Sequence, residues 1–143
     1  MEPDRERRLF ELADVILAVS RHIEAAKRPA SGGGSPLHGA VLRHIDSHPG
    51  ATVGEVAEAT RMISSNVSRA IRGLEDAGYI RRAVDADDAR RVRLFPTGKA
   101  EENLMRLRQV WSRLLDNAVD DAQAEAIAAQ LRHIETGLIN AAD

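Results

Sequence analysis

The segment SSNVSRAIRGLEDAGYI, residues 64–80, decides the fold of this chain. Its apolar residues recur three and four positions apart, which predicts a helix from about residue 64 to residue 77 with one buried face: Val67, Ala70, Ile71 and Leu74. Gly78 follows at the position where glycine commonly ends a helix. The opposite face carries serine, asparagine and arginine side chains, so this helix presents a polar side to its surroundings.

Two helices are predicted upstream of this segment. Thr52, followed three residues later by Glu55, forms a capping box, which predicts a short helix that ends near Thr60. Another helix is expected from about Leu37 to the turn at residues 49–50. The segment around Val67 is therefore the third of three consecutive helices.

The period of the pattern changes after Gly78. Residues 79–84 and 92–95 are strand candidates, and the polar loop 85–91 joins them into a β-hairpin. Helix, short helix, helix and hairpin, in this order, make a winged helix-turn-helix.

Long amphipathic helices flank this unit. One is predicted at about 5–27, and helical spacing returns after Pro96 and continues almost to the end, with a break at residues 120–121. The Gly/Ser/Pro-rich residues 30–36 are a connector; they follow a helix and lack the Gly-Lys-Ser/Thr ending of a phosphate-binding loop. The apolar stripes exceed what one small core requires: Leu9, Leu12, Ala13, Ile16 and Ile23; Leu104, Leu107, Trp111, Leu114, Leu115 and Ala118; Ile127, Leu131, Ile134 and Leu138.

This surplus predicts that the flanking helices pack against a second copy of the chain. The alternative is that the three helices close on each other within one chain. We expect one domain over residues 1–143, in which 1–28 and 100–143 are dimerisation helices and 36–99 form a winged helix-turn-helix lobe. The predicted class is mainly α with a small β-hairpin.

Composition narrows the function classes. The 143 residues include no cysteine, which excludes disulfides, thiolate zinc sites and cysteine redox sensors. No Walker, His-Glu-x-x-His or Gly-x-Ser-x-Gly pattern is present, so we expect neither an enzyme nor a cofactor. No signal peptide or run of about 18 apolar residues is present, so a cytoplasmic protein without a membrane partner is expected.

Charge is distributed unevenly. Residues 61–99 hold nine Lys and Arg against five Asp and Glu, although the whole chain has a net charge of −2. This distribution suits local contact with a polyanion, but an ordinary solvated surface would show it too.

The polar face of the helix at 64–77 is the candidate DNA-reading surface. A helix fits the major groove, where asparagine and arginine make bidentate contacts to adenine and guanine, and a helix N-terminus favours phosphate. The alternative is a surface helix that is simply rich in serine and arginine. The candidate contacts with double-stranded DNA are Ser64, Ser65, Asn66, Ser68, Arg69 and Arg72.

The hairpin loop supplies a second candidate contact. Arg90 and Arg91 at its tip suit the negative potential of the minor groove. Asp88 is predicted to hold a neighbouring guanidinium in a fixed pose. The alternative is a solvated, charged turn.

Several strings in this region together resemble the multiple-antibiotic-resistance regulator (MarR) family: TVGEVAEA at 52–59, SNVSRAIRGLEDAGYI at 65–80, Asp88-Ala89-Arg90 and Pro96-Thr97-Gly98. The resemblance covers about 37–100 closely and the flanking helices by layout only. It implies a homodimeric transcriptional regulator, usually a repressor, that binds a palindromic operator and is released by a small-molecule effector. By matching position, it implies that residues 65, 66, 68 and 69 contact DNA and that Asp88 and Arg90 form the Asp-x-Arg pair of the wing.

Three positions depart from the family's pattern. Arg61 stands where glycine is usual in the turn between the two helices, and Ile63 stands where serine or threonine usually caps the second of them. We expect Ser64 to take over that cap. Phe95 stands where threonine commonly caps the helix after the wing.

An effector pocket, if the family pattern holds, lies between the long helices and the winged lobe. Arg21, His22 and Trp111 are the candidates, although a lone Trp at helical spacing is more often a core residue. His44 and His48 have a spacing that can bind a metal, but no metal site is predicted because no partner ligand is evident. A winged domain that contacts only proteins remains the alternative function.

Overall fold

The computed structural model describes residues 1–27 and 36–141. In this part of the chain it has six helices and one two-stranded antiparallel sheet, and the predicted mainly helical winged helix-turn-helix is confirmed. The bounds in chain order are α1 Pro3–Lys27, α2 Pro36–Ser47, α3 Val53–Thr60, α4 Ser64–Asp76, β1 Ile80–Val84, β2 Val92–Pro96, α5 Gly98–Leu115 and α6 Asp121–Ala141. The predicted connector lies outside the described residues, apart from Pro36.

One hydrophobic core holds α2, α3, α4, the hairpin and the first half of α5 together. The four predicted residues of the α4 face are all buried, as are Val41, Leu42 and Ile45 of α2. Leu94 of β2 is completely buried and closes the core from the hairpin side. These contacts hold α4 firmly by its apolar face and leave its polar face outward.

The hairpin is anchored to the lobe by backbone hydrogen bonds. Strands β1 and β2 pair from Ile80 opposite Pro96 to Val84 opposite Val92. Leu94 also bridges to Ala51, donating its N–H to the Ala51 carbonyl at 2.9 Å, while the Gly50 N–H donates to the Leu94 carbonyl at 2.8 Å. Gly50 has φ +90°, a conformation that glycine adopts without strain.

The helix ends confirm some capping predictions and correct two. Thr52 and Glu55 form the predicted capping box of α3, and Gly78 has φ +81° just after α4. Ser64 does not cap α4, because it already lies inside the helix; Ile63 occupies the N-cap and offers no side-chain acceptor. Phe95 does not stand at the cap of α5, because the strand continues to Pro96 and Thr97 caps that helix with its own side chain.

The outer helices pack differently from the lobe. Among the described residues, α6 buries no side chain, and α1 buries only that of Lys27. Helix α1 lies along α5, where Trp111 Nε1 donates a hydrogen bond to the Ile23 carbonyl at 3.3 Å. Large apolar side chains therefore stay exposed on both helices, including Leu12, Val15, Ile127 and Leu131.

Candidate nucleic-acid interface

The polar side of α4 is accessible along its length. Ser64, Ser65, Arg69 and Arg72 are exposed, while Asn66 and Ser68 are half-buried. Val67, between them, is completely buried and fixes the rotation of the helix. The six predicted contact residues therefore lie on the side of α4 that faces away from the core.

The N-terminus of α4 keeps part of its capacity to bind an anion. The Ile63 carbonyl accepts from the N–H groups of Asn66 and Val67, but the isoleucine side chain cannot accept from the first turn. The N–H groups at the start of a helix point along its axis and carry partial positive charge. A phosphate oxygen at this position would take the place of the missing cap.

The tip of the hairpin has the predicted Asp-x-Arg arrangement. Asp88 Oδ1 accepts from the Arg90 backbone N–H at 3.0 Å and from Arg90 Nε at 3.4 Å. The Arg90 side chain is otherwise 93% exposed. The carboxylate thus holds the base of an arginine side chain that projects into solvent.

Arg91 is held differently from Arg90. Its Nη2 lies 3.6 Å from Glu55 Oε1. Arg91, which is predicted to contact DNA, therefore forms an ion pair with the glutamate of the α3 capping box. Both side chains are half-exposed, so the pair contributes little to stability. It links the wing to the first turn of α3.

A network at the base of the wing was missed by sequence reasoning. Arg93 Nε donates to Asp85 Oδ2 at 2.8 Å, and Arg93 Nη1 donates to the Gly50 carbonyl at 2.9 Å. Asp85 Oδ1 accepts from the Asp87 N–H at 2.9 Å. This backbone hydrogen bond, followed by that from Arg93, lowers the pKa of Asp85 below its usual range. The charged carboxylate therefore organises the wing at neutral pH.

The sequence could not have pointed to this network, because Asp85 and Arg93 meet only through the hairpin register. Arg81 lies over the Phe95 ring at 4.5 Å, and Arg82 pairs with Glu75 at the end of α4. Arg82 thus joins the hairpin to α4, whereas the contact between Arg81 and Phe95 lies within the hairpin.

Arg61 joins the helix-turn-helix to the last helix. It adopts φ +55°, which is costly for a residue with a β-carbon, and its Nη2 donates to the Ile139 carbonyl at 2.9 Å. The departure from glycine at this turn thus coincides with a contact to the C-terminal end of α6, where a cation is favoured.

The predicted effector residues do not cluster around one cavity. Arg21 and His22 are exposed on α1, while Trp111 is half-buried against the core, with the Arg43 guanidinium 5.2 Å from its ring centre. Trp111 borders a cavity of about 240 Å³, which Arg21 and His22 do not line.

A larger open cavity, of about 960 Å³, lies between α2, the end of α3 and the end of α6. Its lining combines arginine and histidine with apolar side chains: Arg43, His44, His48, Arg61, Met62, Leu138 and Ile139. Sequence reasoning missed this cavity, because only the fold brings residue 61 and residue 139 together.

His44 and His48 stack on one another, with ring centres 4.3 Å apart. Burial, and then the neighbouring His48, lowers the pKa of His44. Within residues 1–27 and 36–141, no group of three or more His, Cys, Asp or Glu side chains is placed to hold a metal ion. In the same ranges, no helix has both the length and the apolar character needed to cross a bilayer.

Comparisons with known proteins agree with this architecture. Residues 33–91 match the model of the MarR family. A MarR family transcription regulator superposes with a TM-score of 0.73 at 20% identity, covering 97% of this chain and 95% of the other. A MarR transcriptional regulator from Methanosarcina mazei Go1 gives 0.71 at 25% identity, with coverages of 89% and 96%. No curated protein sequence matches the chain.

A structure of the S. aureus MepR–DNA complex is also similar, with a TM-score of 0.60 at 22% identity and coverages of 90% and 98%. The exposed α4, its buried apolar face and the anchored hairpin define this chain as a winged helix-turn-helix protein. Residues 33–91, which include the winged lobe up to the hairpin tip, are similar to the MarR family. The predicted resemblance is thereby confirmed.

Proposed function

We propose that this chain is a sequence-specific double-stranded DNA-binding transcriptional regulator that acts as a homodimer on a palindromic operator. The observation that carries the proposal is the polar face of α4, which is exposed along the helix while its apolar face is locked in the core. A winged domain reads base edges with such a helix and grips phosphates with its wing. Similarity to a protein solved as a DNA complex supports the same conclusion.

The position of each predicted residue indicates which part of the DNA it would contact. Asn66 and Arg69 are the candidates for base contacts, because their side chains can bond two atoms of one base edge. The serines at the start of α4 suit phosphate oxygens near the helix N-terminus. Arg90, free beyond its contact with Asp88, suits the minor groove.

The homodimer is supported by the outer helices. Helices α1 and α6 carry apolar stripes that the lobe does not cover, and a contiguous exposed patch of this kind marks an association surface. Two lobes related by a two-fold axis present two copies of α4 about one helical turn of DNA apart, roughly 34 Å. Such a dimer reads a palindrome.

We also propose that the regulator is a repressor released by a small molecule. The cavity of about 960 Å³ adjoins both the helix-turn-helix and α6, so an occupant contacts both parts. A ligand that prefers a spacing of the two lobes that does not fit DNA shifts the dimer toward that spacing. The affinity for DNA then falls by the ratio of the ligand's affinities for the two spacings. The proposal gives the chain no catalytic role and places it in the cytoplasm.

The test is a selection of bound fragments from random-sequence duplex DNA, followed by affinity measurements over a range of salt concentrations. We expect a two-fold symmetric site. Arg90→Ala should reduce the slope of log affinity against log salt by about 1 for each protomer of the dimer, because each copy loses one phosphate contact. Arg69→Ala should relax preference at one base position in each half-site.

Arg132→Ala, which removes an exposed arginine from α6, is the matched control and should leave both slope and preference unchanged. Recovery of no specific fragment would refute the proposal and favour a winged domain that contacts only proteins. Equal effects of the substitutions at residues 69, 90 and 132 would show that only overall charge matters.

A further inference from the structure

An exposed isoleucine stands at the start of the polar face of α4. Ile63 is 71% exposed, and between residues 37 and 97 only Val84 is another large hydrophobic residue with an exposed side chain. The other exposed large hydrophobic side chains of the described chain are Met1 and residues of α1, α5 and α6. Ile63 lies outside those helices, so the association proposed for the outer helices does not account for its exposure.

Isoleucine at this position weakens the start of α4. It occupies the N-cap, where serine, threonine, aspartate or asparagine would accept a hydrogen bond from the first turn, and its side chain makes no such bond. The same side chain leaves apolar surface in contact with water. Both effects disfavour isoleucine in the free chain, which indicates that the residue serves something other than the fold.

The backbone directs the Ile63 side chain away from the lobe. Met62 is half-buried and packs against the core, whereas Ile63, with φ −63° and ψ 133°, is extended. Successive side chains of an extended segment point to opposite sides, so that of Ile63 points outward. Ser64 and Ser65, which follow it, are exposed and small. The isoleucine therefore projects beside two short hydroxyl side chains at the N-terminal end of α4.

We propose that Ile63 contacts the methyl group of a thymine in the major groove and selects thymine at one position of each half-site. The inference rests on the proposed DNA-binding function. The N-terminal residues of a recognition helix are those that contact base edges. Thymine is the one base whose major-groove edge carries a methyl group, and apolar side chains recognise it by contact.

The chemistry of isoleucine excludes the other contacts available at this surface. Its side chain has no donor or acceptor for a base edge and no charge for a phosphate. It therefore contributes to the choice of base and leaves the salt-dependent part of the affinity unchanged. Because serine or threonine is the family's usual residue at this position, the preference belongs to this chain rather than to the winged fold in general.

The test replaces thymidine by deoxyuridine, which removes only the methyl group. The probe is the duplex that the wild-type chain recovers from random-sequence DNA, and each thymidine of one half-site is replaced in turn together with its symmetric counterpart. For the wild-type chain, we expect one such pair of replacements to weaken binding about fourfold for each half-site, or roughly 15-fold for the dimer, as expected when one buried carbon group is lost at each contact.

Ile63→Ser is the test variant, because it removes the apolar side chain and supplies the missing cap, so it should fold. At the sensitive position it should bind the thymidine and deoxyuridine duplexes equally, and its salt slope should equal that of the wild-type chain. Val84→Ser is the matched control, since it removes the other exposed large hydrophobic side chain of the lobe. It should keep the sensitivity to deoxyuridine at that position.

Three outcomes would overturn the inference while leaving the regulator intact, since the selected duplex would still be bound. One is a wild-type chain that is insensitive to deoxyuridine at every position. Another is a sensitivity that Ile63→Ser retains in full. The third is an Ile63→Ser chain that sediments as a monomer while the wild-type chain is a dimer, which would place this side chain between copies. Recovery of no specific duplex would instead refute the proposed function, and this inference with it.

Discussion

The winged lobe and the outer helices differ in how much of their apolar surface the chain itself buries. In the described chain, the buried apolar residues run from Val41 to Leu107, and the lobe with the first half of α5 completes this core alone. Helix α1 carries seven large hydrophobic side chains that stay exposed: Leu9, Phe10, Leu12, Val15, Ile16, Leu17 and Val19. The lobe buries its apolar residues within the chain, whereas α1 and α6 leave large apolar side chains exposed.

This difference assigns a separate task to each region. A closed core gives α4 one fixed orientation, which base recognition needs because a displaced side chain loses its bidentate geometry. An open apolar stripe costs solubility unless it is covered, so its presence on a long helix indicates association. Changes in the two regions should therefore produce different dependence on protein concentration.

The largest effect is expected from a charge on the open stripe. Leu12 is 45% exposed on α1, and Leu12→Asp should convert the proposed dimer to monomer at micromolar concentration, as measured by sedimentation. Without the dimer, the second lobe no longer binds at a high effective concentration, so affinity for a palindrome should fall by about 10²–10⁴-fold. The helical circular dichroism of the lobe should persist.

Arg7→Asp is the control for this change, because it adds an acidic residue to α1 at a position outside the apolar stripe. It should leave the dimer intact. A variant Leu12→Asp that still sediments as a dimer would break the comparison, since α1 would then not be the association surface.

A substitution in the core of the lobe tests the other half of this comparison. Ile71 is completely buried in α4, and Ile71→Ala should reduce the free energy of unfolding by about 2–5 kcal/mol through lost burial and a cavity. Urea denaturation at several protein concentrations measures this. The loss should be the same at each concentration, and a loss confined to low concentration would show that α4 is stabilised mainly through the dimer.

The sequence predicted the lobe well because its signals are local. The α4 apolar spacing, the Thr52–Glu55 capping box and Gly78 each specify a structure within a few residues. The hairpin was recognisable from the change of period. These signals placed α4 and the wing without any knowledge of distant contacts.

The parts that escaped prediction depend on pairs far apart in sequence. Asp85 and Arg93 meet only when the strands take their register, and Arg61 reaches Ile139 across 78 positions. The cap of α5 was misplaced because the strand before it runs to Pro96 rather than ending earlier. Buried cations such as Lys27 cannot be told from exposed ones by spacing alone.

A smaller effect is expected at the helix caps, where the sequence and the structure disagreed. Ile63 caps α4 without an acceptor and is 71% exposed, so Ile63→Ser should stabilise the fold by about 1 kcal/mol. Thr97→Ala removes the acceptor for the Ala100 N–H and should destabilise it by about the same amount. Urea denaturation at fixed protein concentration measures both changes in the free energy of unfolding. If both substitutions changed this free energy in the same direction, the capping assignment would be contradicted.

The smallest effect is a local one, at the base of the wing, and it depends on pH. The hydrogen bonds from Asp87 and Arg93 lower the folded-state pKa of Asp85 below its unfolded value of about 3.9. The stabilisation is therefore fully present above that value and is lost as the pH falls through the lower folded pKa. Between pH 5 and 8 the wing should keep one conformation.

Asp85→Asn should remove this pH dependence, because a neutral amide cannot titrate and accepts more weakly from Arg93. NMR of the wing amides from pH 2 to 7 would detect the change: the Asp87 N–H signal should titrate in the wild-type chain and stay fixed in the variant. Asp87→Asn is the control and should keep the titration at Asp85. If the wing amides titrated equally in all three proteins, the carboxylate of Asp85 would not be the group that organises the wing, and the order of the hairpin would have to come from its anchoring through Leu94.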